Sequence, residues 1–133
     1  MKKLKLNVTY YKILSTIYEL NKLGFYPINE GVYKIVTGQK DDETLQFVNL
    51  PTYSTLISYT SKKICNLTLM LFRYKFLSKV FDRETNELYF KITQLGIDSL
   101  NLYLKGKKNP FSKKEILKKA TIIKINKWIT FIS

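Results

Sequence analysis

Apolar residues recur at intervals of three and four along much of the chain, which is the spacing of one buried helix face. The first such run holds Ile13, Leu14, Ile17 and Leu20, and it stops at Gly24, a residue typical of helix C-termini. The same pattern predicts helices over residues 9–23, 32–36, 45–50, 60–74 and 94–104. Thr60 or Ser61 is expected to cap the fourth of these helices and Thr93 the last.

A hairpin pattern lies between the last two predicted helices. Residues 76–81 and 87–92 are rich in aromatic and β-branched side chains, and residues 82–86 between them are polar. Leaving the short 45–50 segment aside, the order is helix, helix, helix, hairpin, helix. We therefore predict an α+β fold, a winged helix-turn-helix with a two-stranded wing, over residues 1–104.

The helix over 60–74 divides most clearly into two faces. One face holds Ile64, Leu67, Thr68 and Leu71. The opposite face holds Lys62, Asn66, Leu69 and Arg73. Such a polar face fits a helix that contacts a nucleic-acid groove or backbone. It also fits an ordinary solvent-exposed helix face.

Residues 105–133 form a basic C-terminal extension. They hold nine lysines and one acidic residue, which is 8 of the chain's net charge of +13. Ser112 and Glu115 have the spacing of a capping box, so the extension is predicted to be helical in part. Its apolar residues form no clean helical stripe, and we expect them to dock near Ile13 and Ile17 of the first helix, in the same chain or in a second subunit.

The net charge of +13 on 133 residues indicates an anionic partner. Phosphate backbones are the commonest partner of this kind, so we expect DNA. A lysine-rich coding bias is the first alternative. An acidic protein or an anionic membrane surface comes after it, and a membrane partner is not expected.

Composition also argues against several kinds of chemistry. The chain has one cysteine and no histidine, so an intramolecular disulfide is excluded, and the usual general base and the commonest metal ligand are missing. The acidic run 41–43 has no histidine or glycine-rich motif beside it. No signal peptide or long apolar run is found. We expect a cytoplasmic, non-catalytic protein without cofactor, metal or small-molecule substrate.

Four segments along the chain together form one spaced pattern of glycine, aromatic, small and apolar residues. They are 31–40 (GVYKIVTGQK), 50–56 (LPTYSTL), 61–71 (SKKICNLTLML) and 92–96 (ITQLG). In this pattern, residues 31–100 resemble the RQC domain, the winged helix of RecQ-family DNA helicases. Thr37 departs from the family, which commonly has arginine there. The resemblance implies a free-standing RQC-like DNA binder without the helicase motor, the zinc module or unwinding activity.

The candidate DNA contacts fall in four places. They are Lys62, Lys63, Asn66 and Arg73 on the helix, Lys79, Arg83 and Lys91 on the wing, Lys40 in the turn after residue 38, and Lys113 and Lys114 in the extension. Thr37, Gly38 and Lys40, with the backbone amides of a helix start at residues 42–44, are a further candidate for holding a phosphate. The acidic run 41–43 is the alternative partner of that helix start.

Two questions stay open at this point. Phe81 or Tyr89 is a candidate for stacking on an end base pair, as the wing aromatic of the family's strand-separating members does, and a cross-strand pair within the hairpin is the alternative. The function is either duplex or branched DNA binding, or a dimeric sequence-specific transcription or plasmid-maintenance regulator, or a protein-interaction module.

Overall fold

The computed structural model describes residues 4–39, 42 and 44–105. These residues form four α-helices, a 3-10 turn and a two-stranded antiparallel sheet. In chain order the elements are α1 (Val8–Lys22), α2 (Asn29–Thr37), the 3-10 turn (Leu45–Phe47), α3 (Ser61–Arg73), β1 (Leu77–Asp82), β2 (Glu87–Ile92) and α4 (Gln94–Leu104). The predicted α+β class is confirmed, and the layout is compatible with a winged helix.

Side-chain caps set the start of three helices. The side chains of Asn7, Thr60 and Thr93 each accept a hydrogen bond of 3.1 Å from the backbone N–H three residues later. The predicted caps at Thr60 and Thr93 are confirmed, while Asn7 starts α1 one residue earlier than expected. The second helix begins at Asn29, three residues before its predicted start. The hydrophobic pattern missed this start because Asn29 and Glu30 are polar.

The helix predicted over 45–50 is wrong, since only a 3-10 turn, Leu45–Phe47, forms there. The N–H of Phe47 bonds to the carbonyl of Thr44, and the N–H of Leu50 bonds to that of Phe47, at 2.9 and 3.0 Å. Three-residue spacing places Phe47 and Leu50 on the same side, and both side chains are buried. Burying these two side chains against neighbouring elements therefore favours the tighter turn over an α-helix.

Two clusters of buried side chains form the core. The larger cluster joins α1, α2, α3 and the hairpin through Ile13, Leu14, Ile17, Val32, Val36, Leu56, Ile64, Leu71, Leu77, Phe90 and Ile92. The smaller cluster holds Leu20, Phe25, Ile35, Phe47 and Leu50. Ile13 and Ile17 thus pack inside the main core, so the part of the first helix expected to receive the extension is already covered by described residues.

The hairpin is held against α1 by the side chain of Asn21. Its amide accepts a hydrogen bond from the Ile92 N–H at 2.8 Å and donates to the carbonyls of Phe25 and Phe90 at 2.9 and 3.4 Å. The N–H of Phe90 bonds to the carbonyl of Pro27 at 2.8 Å. The outer edge of β2 is therefore paired by the loop after α1, and this fixes where the hairpin lies relative to α3.

The last helix packs against the first. Tyr103 of α4 stacks on Tyr11 of α1 with 3.9 Å between the ring centres. Burial raises the pKa of Tyr11, and the neighbouring Tyr103 raises it further. Gly96 lets α4 start close to the hairpin, because a Cβ there would clash with the carbonyl oxygen of Phe76. None of the helices in the described part of the chain has the length and apolar character needed to cross a bilayer.

Candidate nucleic-acid interface

The third helix has the two faces that the sequence predicts. Ile64, Thr68 and Leu71 are buried, and the Thr68 hydroxyl donates to the carbonyl of Ile64 at 2.8 Å, so its polar group is satisfied inside the core. Leu67 is half-buried against the same cluster. The buried face fixes the rotation of α3 about its axis and hence which side chains point to solvent.

The opposite face of α3 is exposed and cationic. Lys62, Lys63, Asn66 and Arg73 are all exposed. Within the described residues, the ion pairs are Glu19–Lys22 and Glu30–Lys34, so none of the three cations on α3 is neutralised by an acidic side chain. Leaving unpaired cations in water costs little, and each remains free to bind a phosphate.

The charge around α3 is of one sign over a long stretch of chain. From residue 44 to residue 81 the sequence contains five cationic side chains and no acidic one. Four of the five, at positions 62, 63, 73 and 75, are exposed. Sequence reasoning missed Lys75, which follows α3 with a φ of 70°. The sequence could have indicated Lys75 by its position between Arg73 and the hairpin, because a basic residue there extends the charged face of the helix.

Lys79 joins α3 to the hairpin. Its Nζ atom lies 4.6 Å from the ring centre of Phe72 on α3 and 5.6 Å from that of Phe90 on β2. These are cation–π distances, so part of this charge interacts with rings of the protein itself. Lys79 is half-buried, whereas Lys91 is exposed. Of the two wing lysines named as DNA contacts, Lys91 is the more accessible.

Arg83 lies exposed in the turn of the hairpin. The acidic residues around it do not pair with it in the described structure. The Asp82 carboxylate instead accepts from the N–H of Glu84 at 3.2 Å and from the hydroxyl of Thr85 at 3.0 Å. Asp82 therefore shapes the turn, and the guanidinium of Arg83 projects from its tip without an ion-pair partner in the described chain.

The two aromatic candidates of the hairpin have different surroundings. Tyr89 is buried, and its hydroxyl bonds to the Glu87 carboxylate at 3.0 Å and to the Thr85 hydroxyl at 3.1 Å. Phe81 is 51% exposed and lies opposite Leu88, not Tyr89, in the strand register. Of these two aromatic residues, only Phe81 is accessible to a base. Phe81 forms a cross-strand pair with Leu88.

The turn after α2 has little capacity for a phosphate. The N–H groups of Gly38 and Gln39 bond to the carbonyls of Ile35 and Lys34 at 3.1 and 2.9 Å, and the Thr37 hydroxyl donates to the carbonyl of Tyr33 at 2.6 Å. These donors close the helix end. Residue 43 of the helix start expected over 42–44 lies outside the described part of the chain, and a 3-10 turn follows at Leu45. A phosphate held by residues 42–44 stays a prediction.

Three predicted contacts lie outside the described residues. They are Lys40, Lys113 and Lys114. Of the extension, Lys105 is described, and residues 106–133 lie outside the described residues.

Comparisons with family models, with curated proteins and with solved structures find no match to this chain. The resemblance to the RQC domain therefore stays a prediction.

Proposed function

We propose that this chain is a non-catalytic DNA-binding protein of winged-helix type that contacts duplex or branched DNA through α3, the hairpin and the lysine-rich extension. One observation carries the proposal. The solvent face of α3 presents Lys62, Lys63 and Arg73 without an acidic partner in the described chain, within a region free of acidic residues. Such a face attracts a polyanion and gains affinity by displacing its counterions. Membership of the RQC family is part of the proposal and rests on the sequence pattern alone.

The hairpin supports the proposal by its position and its exposed cations. Lys79 brings β1 against Phe72, so the hairpin lies beside the exposed face of α3. Arg83 and Lys91 are exposed cations of the hairpin, although three acidic side chains balance its three cations over residues 77–92. A duplex lying on α3 would therefore meet a second set of phosphate contacts, as expected for a wing.

The test is a titration of the full chain with a duplex of mixed sequence at several salt concentrations. We expect the logarithm of the affinity to fall linearly with the logarithm of salt concentration. The variant Lys62→Ala/Arg73→Ala should bind more weakly, and its slope should be smaller by about one unit for each phosphate that is no longer neutralised. Both side chains are exposed, so thermal stability should change by no more than about 0.5 kcal/mol per site.

A matched control removes two charges elsewhere. Lys5→Ala/Lys22→Ala changes the net charge equally, but it acts just before α1 and at its end, outside the proposed contact regions. This control should keep nearly the parent's slope. An equal decrease in affinity in both variants would show that only net charge matters. Parent-like binding by Lys62→Ala/Arg73→Ala would show that α3 is not the contact surface.

A second candidate function is a protein-interaction module, favoured by the apolar surface of the hairpin. Phe81 and Leu88 are 51% and 48% exposed as a cross-strand pair. Contiguous apolar patches mark protein interfaces, and this pair places two apolar side chains next to each other at the surface. If the full chain binds no duplex even at low salt, this function replaces DNA binding.

A further inference from the structure

The exposed face of α3 carries more than charge. Lys62, Asn66, Leu69 and Arg73 are spaced by four, three and four residues, which places them in one line along the helix. We call these four residues the α3 ridge. The ridge has a cation at each end and, between them, one amide and one apolar side chain. Phosphate binding accounts for the two cations and leaves the middle pair unexplained.

The two middle side chains have no partner that accounts for them. Asn66 is exposed, and its side chain makes no hydrogen bond within the described residues. Leu69 is half-buried, yet it belongs to neither core cluster of the described chain. The uncovered part of the Leu69 side chain is an apolar surface on the ridge, which an apolar group of a ligand can contact.

The length of the ridge matches a DNA groove. Lys62 and Arg73 are eleven residues apart, which is about 16 Å along the helix axis. The major groove is about 12 Å wide and admits an α-helix. With both cations at phosphates on either side of the groove, the middle of the ridge lies over the edges of the bases.

The chemistry of the middle pair selects A·T base pairs. An asparagine amide donates to adenine N7 and accepts from the adenine N6 amino group, whereas guanine offers two acceptors at the same edge. The leucine side chain is suited to contact with the thymine C5-methyl group. Asn66 and Leu69 are about 4.5 Å apart along the helix axis, so their side chains can reach two neighbouring base pairs.

We propose that α3 reads two adjacent A·T base pairs in the major groove, with Asn66 hydrogen-bonded to an adenine and Leu69 against a thymine methyl group. The inference rests on the proposed DNA-binding function and deepens it, because it names the sequence class that the helix prefers. Lys62 and Arg73 are then the anchors that position the ridge, and they contribute affinity without sequence preference.

The experiment compares alternating A·T and alternating G·C duplexes of equal length at one salt concentration. The parent should prefer the A·T duplex by about 5- to 150-fold, the range for one good bidentate contact. Replacing every thymine by uracil removes the methyl groups, and replacing every adenine by 7-deazaadenine removes the N7 acceptor. Each replacement should weaken binding by the parent.

The variants assign each base contact to a residue. Asn66→Ala should become insensitive to 7-deazaadenine and keep its sensitivity to uracil, and Leu69→Ala should do the reverse. Asn101→Ala and Leu102→Ala are matched controls, because they make the same changes at exposed positions of α4. Both controls should respond to the modified duplexes as the parent does.

The outcomes separate this inference from the function on which it rests. Equal binding of A·T and G·C duplexes, with a steep salt dependence, overturns base readout and leaves DNA binding standing. An A·T preference that persists unchanged in Asn66→Ala and Leu69→Ala also overturns the inference, because DNA shape or another part of the chain then supplies it. Absence of binding to every duplex overturns both.

Discussion

Removing the amide of Asn21 tests how the hairpin is held in place. In Asn21→Ala the N–H of Ile92 no longer has its acceptor, and the carbonyl of Phe25 no longer has its donor at 2.9 Å. An unpaired donor away from water costs about 1–3 kcal/mol, and the second bond adds about 0.5–1.5 kcal/mol. The long contact to Phe90, at 3.4 Å, adds little. Alanine is the better helix former by about 0.5 kcal/mol, so the expected net destabilisation is about 1–4 kcal/mol.

The free energy of unfolding is measured by urea denaturation, with amide hydrogen exchange as a second readout. A decrease of about 1–4 kcal/mol is a considerable part of the roughly 5–15 kcal/mol typical of a domain, so the urea midpoint should fall clearly. The amide of Ile92 should exchange faster than in the parent. Asn101→Ala is the control, since it makes the same change at an exposed position of α4. An unchanged midpoint with a protected Ile92 amide would refute the reasoning.

Two further predictions concern the core and the extension. Ile64→Ala creates a cavity at a fully buried position, so it should lower the free energy of unfolding in urea by about 2–5 kcal/mol. Leu69→Ala, on the other face of α3, should lower it much less. Equal losses in the two variants would contradict the assigned faces. Ending the chain after Lys105 removes eight lysines and Glu115, which is 8 − 1 = 7 of the 13 net charges. This truncation should lower the affinity for all duplexes about equally and reduce the salt slope in the same titration, and an unchanged slope would show that the extension does not contact DNA.

The hydrophobic pattern alone predicts most of the local structure. The faces of α3, the caps at Thr60 and Thr93 and the two strands depend on residues within one or two turns of each other. Such short-range preferences are readable from spacing, because the helix period and the strand alternation are properties of the backbone. The exposed cationic face of α3 follows from the same pattern, so the centre of the candidate interface was predictable.

Contacts between distant parts of the chain decided the rest. Asn21 meets Ile92 across 71 positions of sequence, and Lys79 lies over Phe72 of the preceding helix. Packing also determined that Tyr89 is buried while Phe81 is exposed, although both belong to the same hairpin. Spacing assigns a side chain to one face of an element, but only the neighbouring elements determine whether that face is covered, and this is why burial of the hairpin aromatics required the tertiary structure.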